Sequence, residues 1–359
     1  MASADIIGTI QGSAQDGGWT ASGAVFNDAD RLQFYQQLRV WYRLYAAGWE
    51  AKLRGAFLGH LTPDPWSKFV QGSEAPFTAK MANEILKDGE VQGIFYLSVS
   101  SSPANRHQII LMKYAHIIYE LIGGHCNLMH KDEAARYDTT LWGGGGPTTV
   151  TFPEGFVRLN LNISSSSAVA SYDLKQGNLW GRMQEIAQKD NYMLYVDKTG
   201  VLNYQPHPMF AATLPTAVMT LTSAHLSAPL EVTRRSEKIG QVKLEGTTPQ
   251  GIQIRGKYPT QPTAGPILQR IGYLATSNAL MATIAERMYR YENRDTLAIA
   301  HLPGAMGLMF DILDRVSVTY TSSADGITWS AKKFWVNKIK VDILSDFTAK
   351  STLELDAEA

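Results

Sequence analysis

The feature that most constrains this chain is residues 177–208, where an amphipathic helix runs straight into a tight β-hairpin. Leu179, Met183, Ile186 and Ala187 recur at helical spacing and make one apolar stripe. Asn178 precedes them as the expected cap, since a side-chain oxygen there accepts from first-turn N–H groups that have no partner inside the helix. Residues 192–196 and 201–204 then read as strands around Asp197-Lys198-Thr199-Gly200, whose glycine supplies the positive φ such turns require. The middle of the chain is therefore expected to be mixed α/β.

On either side the pattern is mainly β. In residues 38–44, Leu38, Val40, Tyr42 and Leu44 alternate with Arg39, Trp41 and Arg43, and a turn at Ala46-Ala47-Gly48 returns the chain along Ala51, Leu53, Gly55 and Phe57 as a long hairpin. Helical spacing predicts a helix over 78–87, stopped by Asp88-Gly89, and then a strand over 94–99. A second helix is expected after Ser101-Ser102-Pro103, with Ile109, Met112, His116, Ile117 and Leu121 on one face and Gly123-Gly124 as its end. Residues 219–254 read as strands, Gln261-Pro262-Thr263-Ala264-Gly265-Pro266 breaks them, and a helix follows over 277–290 on Leu280, Ile284, Met288 and Tyr291. The last segment, 310–355, returns to strands: Val316, Val318 and Tyr320 face one way, and the turn at residues 322–326 leads to a strand through Trp335, Ile339, Val341 and Ile343. Tyr45, Gly48, Trp49, Ala51, Lys52 and Phe57 recur loosely as Tyr320, Gly326, Trp329, Ala331, Lys332 and Phe334, a faint internal repeat that two unrelated aromatic hairpins also produce.

At 359 residues the chain exceeds what one core usually organises, so two to four units are expected. Charged residues are 18% of it, below the roughly 25% of soluble domains, and the formal net charge is +0. Such a surface resists association weakly and suits a subunit of an assembly. It also argues against a protein that grips the DNA backbone, which leaves a basic excess. Cys126 is the only cysteine, so no intrachain disulfide forms and folding in a reducing cytoplasm is expected. The N-terminus lacks the basic and apolar regions of a signal peptide, and no apolar run approaches the roughly 20 residues of a membrane span.

The chemistry-bearing sets are weak. His125, Cys126, His130, Asp132 and Glu133 offer metal-ligand types without a zinc spacing. Gly143-Gly144-Gly145-Gly146 is followed by Pro147 instead of the Lys-Ser/Thr of a phosphate loop, so it reads as a surface loop. Ser330-Ala331-Lys332-Lys333 matches a Ser-x-x-Lys nucleophile pattern but lies in a strand instead of at a helix start. Asp311 and Asp314 are read as solvated turn residues before they are read as a glycosidase pair. Trp19, Trp41, Trp49, Trp66, Trp142, Trp180, Trp329 and Trp335 suit a core first, an interface second and a sugar groove third. No catalytic, cofactor-binding or metal-binding residue is singled out, and no cofactor is expected.

The order of elements resembles the baseplate or tail hub family of tailed bacteriophages, including the T-even-type hub, the late control protein D relatives and the gene-transfer-agent hubs. The residues that carry the resemblance are 177–187 with the hairpin and Gln205-Pro206-His207-Pro208, and the helix Ala282-Thr283-Ile284-Ala285-Glu286-Arg287-Met288 followed by residues 308–318. What the resemblance implies is a β-rich, multidomain α+β fold: two tail-tube-like β-barrels flanking a middle α/β domain, with a helical insertion before the last strands. The corresponding expectation is a first barrel at 1–100, the middle domain at 101–208, a second barrel at 209–258 and 295–359, and the insertion at 259–294. It further implies a non-enzymatic virion protein made in the host cytoplasm. A homotrimer would form a ring at the tip of the tail tube and adapt sixfold to threefold symmetry. Its partners would be tail tube or distal tail protein rings and spike, fibre or tape-measure proteins, with genomic DNA passing its lumen unbound. The alternatives are a tail-tip carbohydrate-active enzyme or carbohydrate-binding module, and a hexameric tail tube or distal tail protein.

Overall fold

The computed structural model describes residues 5–26, 37–42, 54–61, 75–80, scattered positions between 86 and 122, residues 149–151 and 158–164, a few positions in 169–174, and nearly all of 177–358. The N-terminal part supplies β1 (Asp5–Ser13), β2 (Gly18–Phe26), β3 (Gln37–Tyr42), β4 (Arg54–Leu61) and β5 (Ala75–Lys80). The middle supplies β6 (Thr149–Thr151), β7 (Arg158–Ile163), helix α1 (Leu179–Asp190), β8 (Tyr192–Val196) and β9 (Val201–Pro206). Then come β10 (Thr220–Leu221), β11 (Glu231–Arg234), β12 (Gln241–Thr247), β13 (Gln253–Tyr258), β14 (Ile267–Leu274) and helix α2 (Asn278–Glu292). The C-terminal part is β15 (Thr296–Pro303), β16 (Arg315–Ser322), β17 (Ile327–Ile343) and β18 (Ala349–Ala357).

Both ends of the chain meet in one eleven-stranded sheet, ordered β11-β15-β18-β17-β1-β2-β5-β4-β3, with β16 on β17 and β10 on β16. Its organiser is β17, long enough at 17 residues to hold two partners along one edge. Ile327 to Trp335 pair with β16, Lys338 to Ile343 pair with β1, and β18 runs along the other edge. Strand alternation fixes which face is inside: Ala298, Ala300 and Leu302 of β15 are buried while the residues between them are not. Ile339, Val341, Leu353 and Leu355 continue that apolar surface on β17 and β18.

This arrangement corrects the expected pair of tail-tube-like barrels. Strands from residues 5–80 and 220–357 form one open sheet, and among the described residues no pairing joins its terminal strands, β11 and β3. Period-2 alternation says that a strand has two different faces, but it does not specify whether the sheet curls back onto itself. Strands β12, β13 and β14 lie outside that sheet and form their own, ordered β13-β12-β14, beneath α2. Val242, Leu244, Ile254, Met281, Ile284 and Ala285 make its separate small core.

The middle sheet is β8-β9-β7-β6, with β7 and β9 parallel. Helix α1 begins as its sequence predicts: Asn178 Oδ1 accepts from Gly181 N at 2.9 Å, and Asn191 ends the helix in the left-handed conformation. Its buried face carries Leu179, Trp180, Met183, Ile186 and Ala187. The hairpin over 38–57 is present as β3 and β4. Of the helix expected over 78–87, residues 78–80 belong to β5 instead, where Thr78 pairs with Ser22 and sheet pairing overrides helical spacing; Leu86 and Lys87 are helical, and residues 81–85 lie outside the described residues. Where the next helix is expected, Met112 and Lys113 pair as a short strand with Val169 and Ala170, and among the described residues Tyr114, Ala115, Ile118, Leu121 and Ile122 are buried.

Candidate functional site

Two polar junctions and one cleft stand out from the apolar core. The first junction is centred on Asp311, which follows a short 3-10 turn at Met306–Met309. Asp311 Oδ1 accepts from Trp19 Nε1 at 3.0 Å and from Ile312 N at 2.8 Å, while Oδ2 accepts from Lys198 N at 3.1 Å. The ammonium of Lys198 donates to the carbonyls of Leu308, Met309 and Phe310 at 3.3 to 3.4 Å, closing the same loop from the other side. Asp197 orders the β8–β9 turn, accepting from Thr199 N, Val201 N and Asn203 Nδ2. Three segments remote in sequence are thus tied together: the end of the first hairpin, the β8–β9 turn and the approach to β16. Burial, followed by the neighbouring Asp197 charge, pushes the Asp311 carboxyl up to about 7 against the opposing pull of Lys198.

The second junction is centred on His207, between Pro206 and Pro208. Its Nδ1 accepts from Met209 N at 3.1 Å, which leaves the ring proton on Nε2. Trp335 and Tyr291 meet the ring edge-on at 5.4 and 5.9 Å between centroids. Arg294 stacks on Tyr291 at 3.7 Å and forms a buried ion pair with Asp356 of β18. Burial first, and the Arg294 charge second, hold His207 down at about 3, so it is neutral in the folded chain at ordinary pH. Between the middle sheet and α1, Tyr204 Oη donates to Asp190 Oδ2 at 2.6 Å, and burial first, with the Asp190 charge and this bond after it, raises the Tyr204 hydroxyl well above its usual range.

The cleft, about 720 Å³, separates α1 and β8 from α2 and β14. Gln184, Gln188 and Tyr192 line one wall, and Arg270, Tyr273 and Tyr291 the other. A second hollow of about 410 Å³ lies against the three-stranded sheet and shares Ile271, Gly272 and Tyr273 with the first.

The sequence candidates fare unevenly. His125, Cys126, His130, Asp132, Glu133 and the run Gly143 to Gly146 lie outside the described residues. Asp311 and Asp314 are not the solvated turn residues expected: Asp314 Oδ2 accepts from Asp311 N at 2.7 Å, and both carboxyls are raised chiefly by burial. Ser330 to Lys333 lie in β17, where Lys332 Nζ reaches Thr296 Oγ1 at 3.1 Å and sits over Trp329. Trp19, Trp180 and Trp335 are core residues. Sequence reasoning missed the junctions because Lys198 and His207 carry no local signature. Among the described residues no cluster of three or more His, Cys, Asp or Glu could hold a metal ion, and no helix is long and apolar enough to cross a membrane.

The class of fold is that of tail proteins of phages and prophages. The tail protein from Neisseria meningitidis MC58 superposes with a TM-score of 0.60 at 11% identity, over 98% of this chain and 91% of that one. The 43 kDa tail protein of prophage MuSo2 from Shewanella oneidensis gives 0.50 at 11% identity, over 98% and 93%. The resemblance read from residues 177–208 and 282–318 therefore holds at the level of fold. No protein-family profile matches the sequence, and no curated protein matches it.

Proposed function

We propose that this chain is a structural subunit of a phage-type tail: a hub that assembles as a homotrimeric ring at the tip of the tail tube. There it joins tube or distal tail rings to the spike, fibre or tape-measure proteins and leaves a lumen for DNA. The observation that carries this reading is a fold shared over nearly the whole chain with two tail proteins. Two properties of this chain support it independently. Among the described residues the large sheet is open at β3 and β11, whose outer edges suit pairing between subunits, and the charge is sparse and balanced. Threefold-to-sixfold matching through duplicated closed barrels is withdrawn with the barrels, so the ring is proposed to close through sheet edges.

Native mass spectrometry and electron microscopy of the chain co-expressed with its neighbouring tail proteins test the proposal. A threefold ring seated on tube rings, with an opening that admits duplex DNA, is the expected result. A persistent monomer that degrades polysaccharide, or a hexamer indistinguishable from a tube ring, would overturn it.

A further inference from the structure

Strand β14 is the most exposed strand of the three-stranded sheet. Among the described residues it is hydrogen-bonded on one side only, to β12, so its other edge presents a row of free backbone groups. Parallel pairing sets Gln269 beside Lys243 and Ile271 beside Glu245, which puts Ile267, Gln269 and Ile271 on the face away from α2. Ile271 is 75% exposed and Ile267 46%, although neither needs to be apolar if that face meets only water. At the next position the strand bulges at Gly272, where φ is +90 and nothing lies within 4 Å of the missing side chain. The cleft and the second hollow share Ile271, Gly272 and Tyr273, so both open onto this stretch of β14.

The chemistry of the walls selects an occupant. In the cleft Glu185 is engaged by Arg182 at 2.8 Å and Lys189 at 3.2 Å, and in the hollow Arg255 is paired with Glu245 at 3.5 Å. The other charged residues of the cleft wall, Arg270 and Glu292, are of opposite sign, so the walls as a whole carry balanced charge, which disfavours an anionic or cationic polymer. A glycan would use the amides and tyrosines but not the unpaired backbone or the isoleucines. An extended polypeptide uses all of them: main-chain bonds to β14, alternate side chains over Ile271 and against Gln184 and Tyr192.

We propose that β14 is a docking edge for an extended, uncharged segment of another polypeptide, alternating apolar and polar residues, which adds to this sheet as a fourth strand. The tail reading supplies such a neighbour but the docking chemistry stands without it.

The test is hydrogen exchange and fluorescence anisotropy on the purified chain with a panel of capped hexapeptides alternating valine or isoleucine with threonine, serine or asparagine. The same peptides N-methylated on alternate amides, and chitohexaose as an uncharged glycan, complete the set. Binding by the unmodified peptides should slow exchange across Ile267–Leu274 at least tenfold, and N-methylation should abolish the effect. Ile271→Lys should weaken binding tenfold or more. Ile252→Lys, 64% exposed but in the β12–β13 turn, should leave it unchanged. No protection from any peptide, equal protection by the N-methylated set, or protection by chitohexaose alone would overturn the proposal. None of these readings requires a tail, so failure here leaves the hub assignment standing, and failure of ring assembly leaves the docking edge standing.

Discussion

Helices α1 and α2 are built alike and used differently. Each is amphipathic, capped by a polar side chain, and packed on a small mixed sheet. Yet α1 buries Trp180 in the main core, where the ring leaves no room for a side chain at Gly17 of the β1–β2 turn. Its sheet is further bound in by Asp190–Tyr204 and by Lys198–Asp311. Helix α2 instead packs on its own sheet so closely that a Cβ at Gly256 would lie 2.3 Å from the Met281 backbone carbon, and its core is separate from the main one. An equal helical pattern therefore says that a face will be covered, not how firmly the covered unit is tied to the rest. The tied unit is framework; the other, among the described residues, leaves one sheet face and the β14 edge open for contacts.

The largest expected effect comes from cutting the main tie between the α2 unit and the large sheet. Asp356→Ala strands Arg294 in a buried site and should cost about 3 to 5 kcal/mol. Urea unfolding with exchange on both units should show β18 and the end of α2 loosening together; loss at α2 alone would dissolve the contrast. Trp180→Ala should cost a similar ~3 to 5 kcal/mol, felt through the main core and not in β12–β14.

The two junctions also carry opposite pH dependences. Asp311 has a folded value of about 7 against an ordinary 3.8, so the folded chain holds the proton more tightly and stability falls as pH rises from about 4 to about 7. His207, at about 3 against 6.5, does the reverse: stability falls as pH drops from about 6.5 towards 3. Their slopes, each at most about 1.4 kcal/mol per pH unit, oppose one another between about pH 4 and 6.5. Asp311→Asn should leave a stability that rises with pH across that window, and His207→Gln one that falls. Parallel profiles for the two variants in thermal melts would refute the assignment.

Smaller effects refine the contrast. Gly256→Ala should cost about 1 to 3 kcal/mol by overpacking, with faster exchange confined to the α2 unit. The two caps make the finest comparison, since Asn178→Ala and Ser277→Ala should each cost about 1 kcal/mol. The first should lower the main unfolding transition, because Asn178 also donates to the Lys87 carbonyl, whereas the second should be felt only in α2.

Local signals were legible in the sequence. Asn178 and Ser277 begin their helices, the β8–β9 turn falls at Asp197 to Gly200, and Val316, Val318 and Tyr320 point inward together. Long-range pairing was not. Nothing near Gly8 states that it lies opposite Ile343, and the length of β17, which lets one strand serve two partners, makes sense only once both partners are placed. The junctions were hidden for the same reason. Asp311 looks like a turn residue until Trp19 and Lys198 arrive from elsewhere in the chain, and desolvation then changes its chemistry more than any local neighbour does.

The tail-hub reading is tested most directly by locating the chain in a particle. An epitope inserted at Ala324, in the exposed β16–β17 turn, leaves both sheet edges untouched, and tails purified from cells expressing that version can be imaged by electron cryomicroscopy with the matching antibody fragment. Three fragments in a ring at the distal end of the tube are predicted. Tails that lack the epitope, or carry it along the length of the tube, would contradict the assignment.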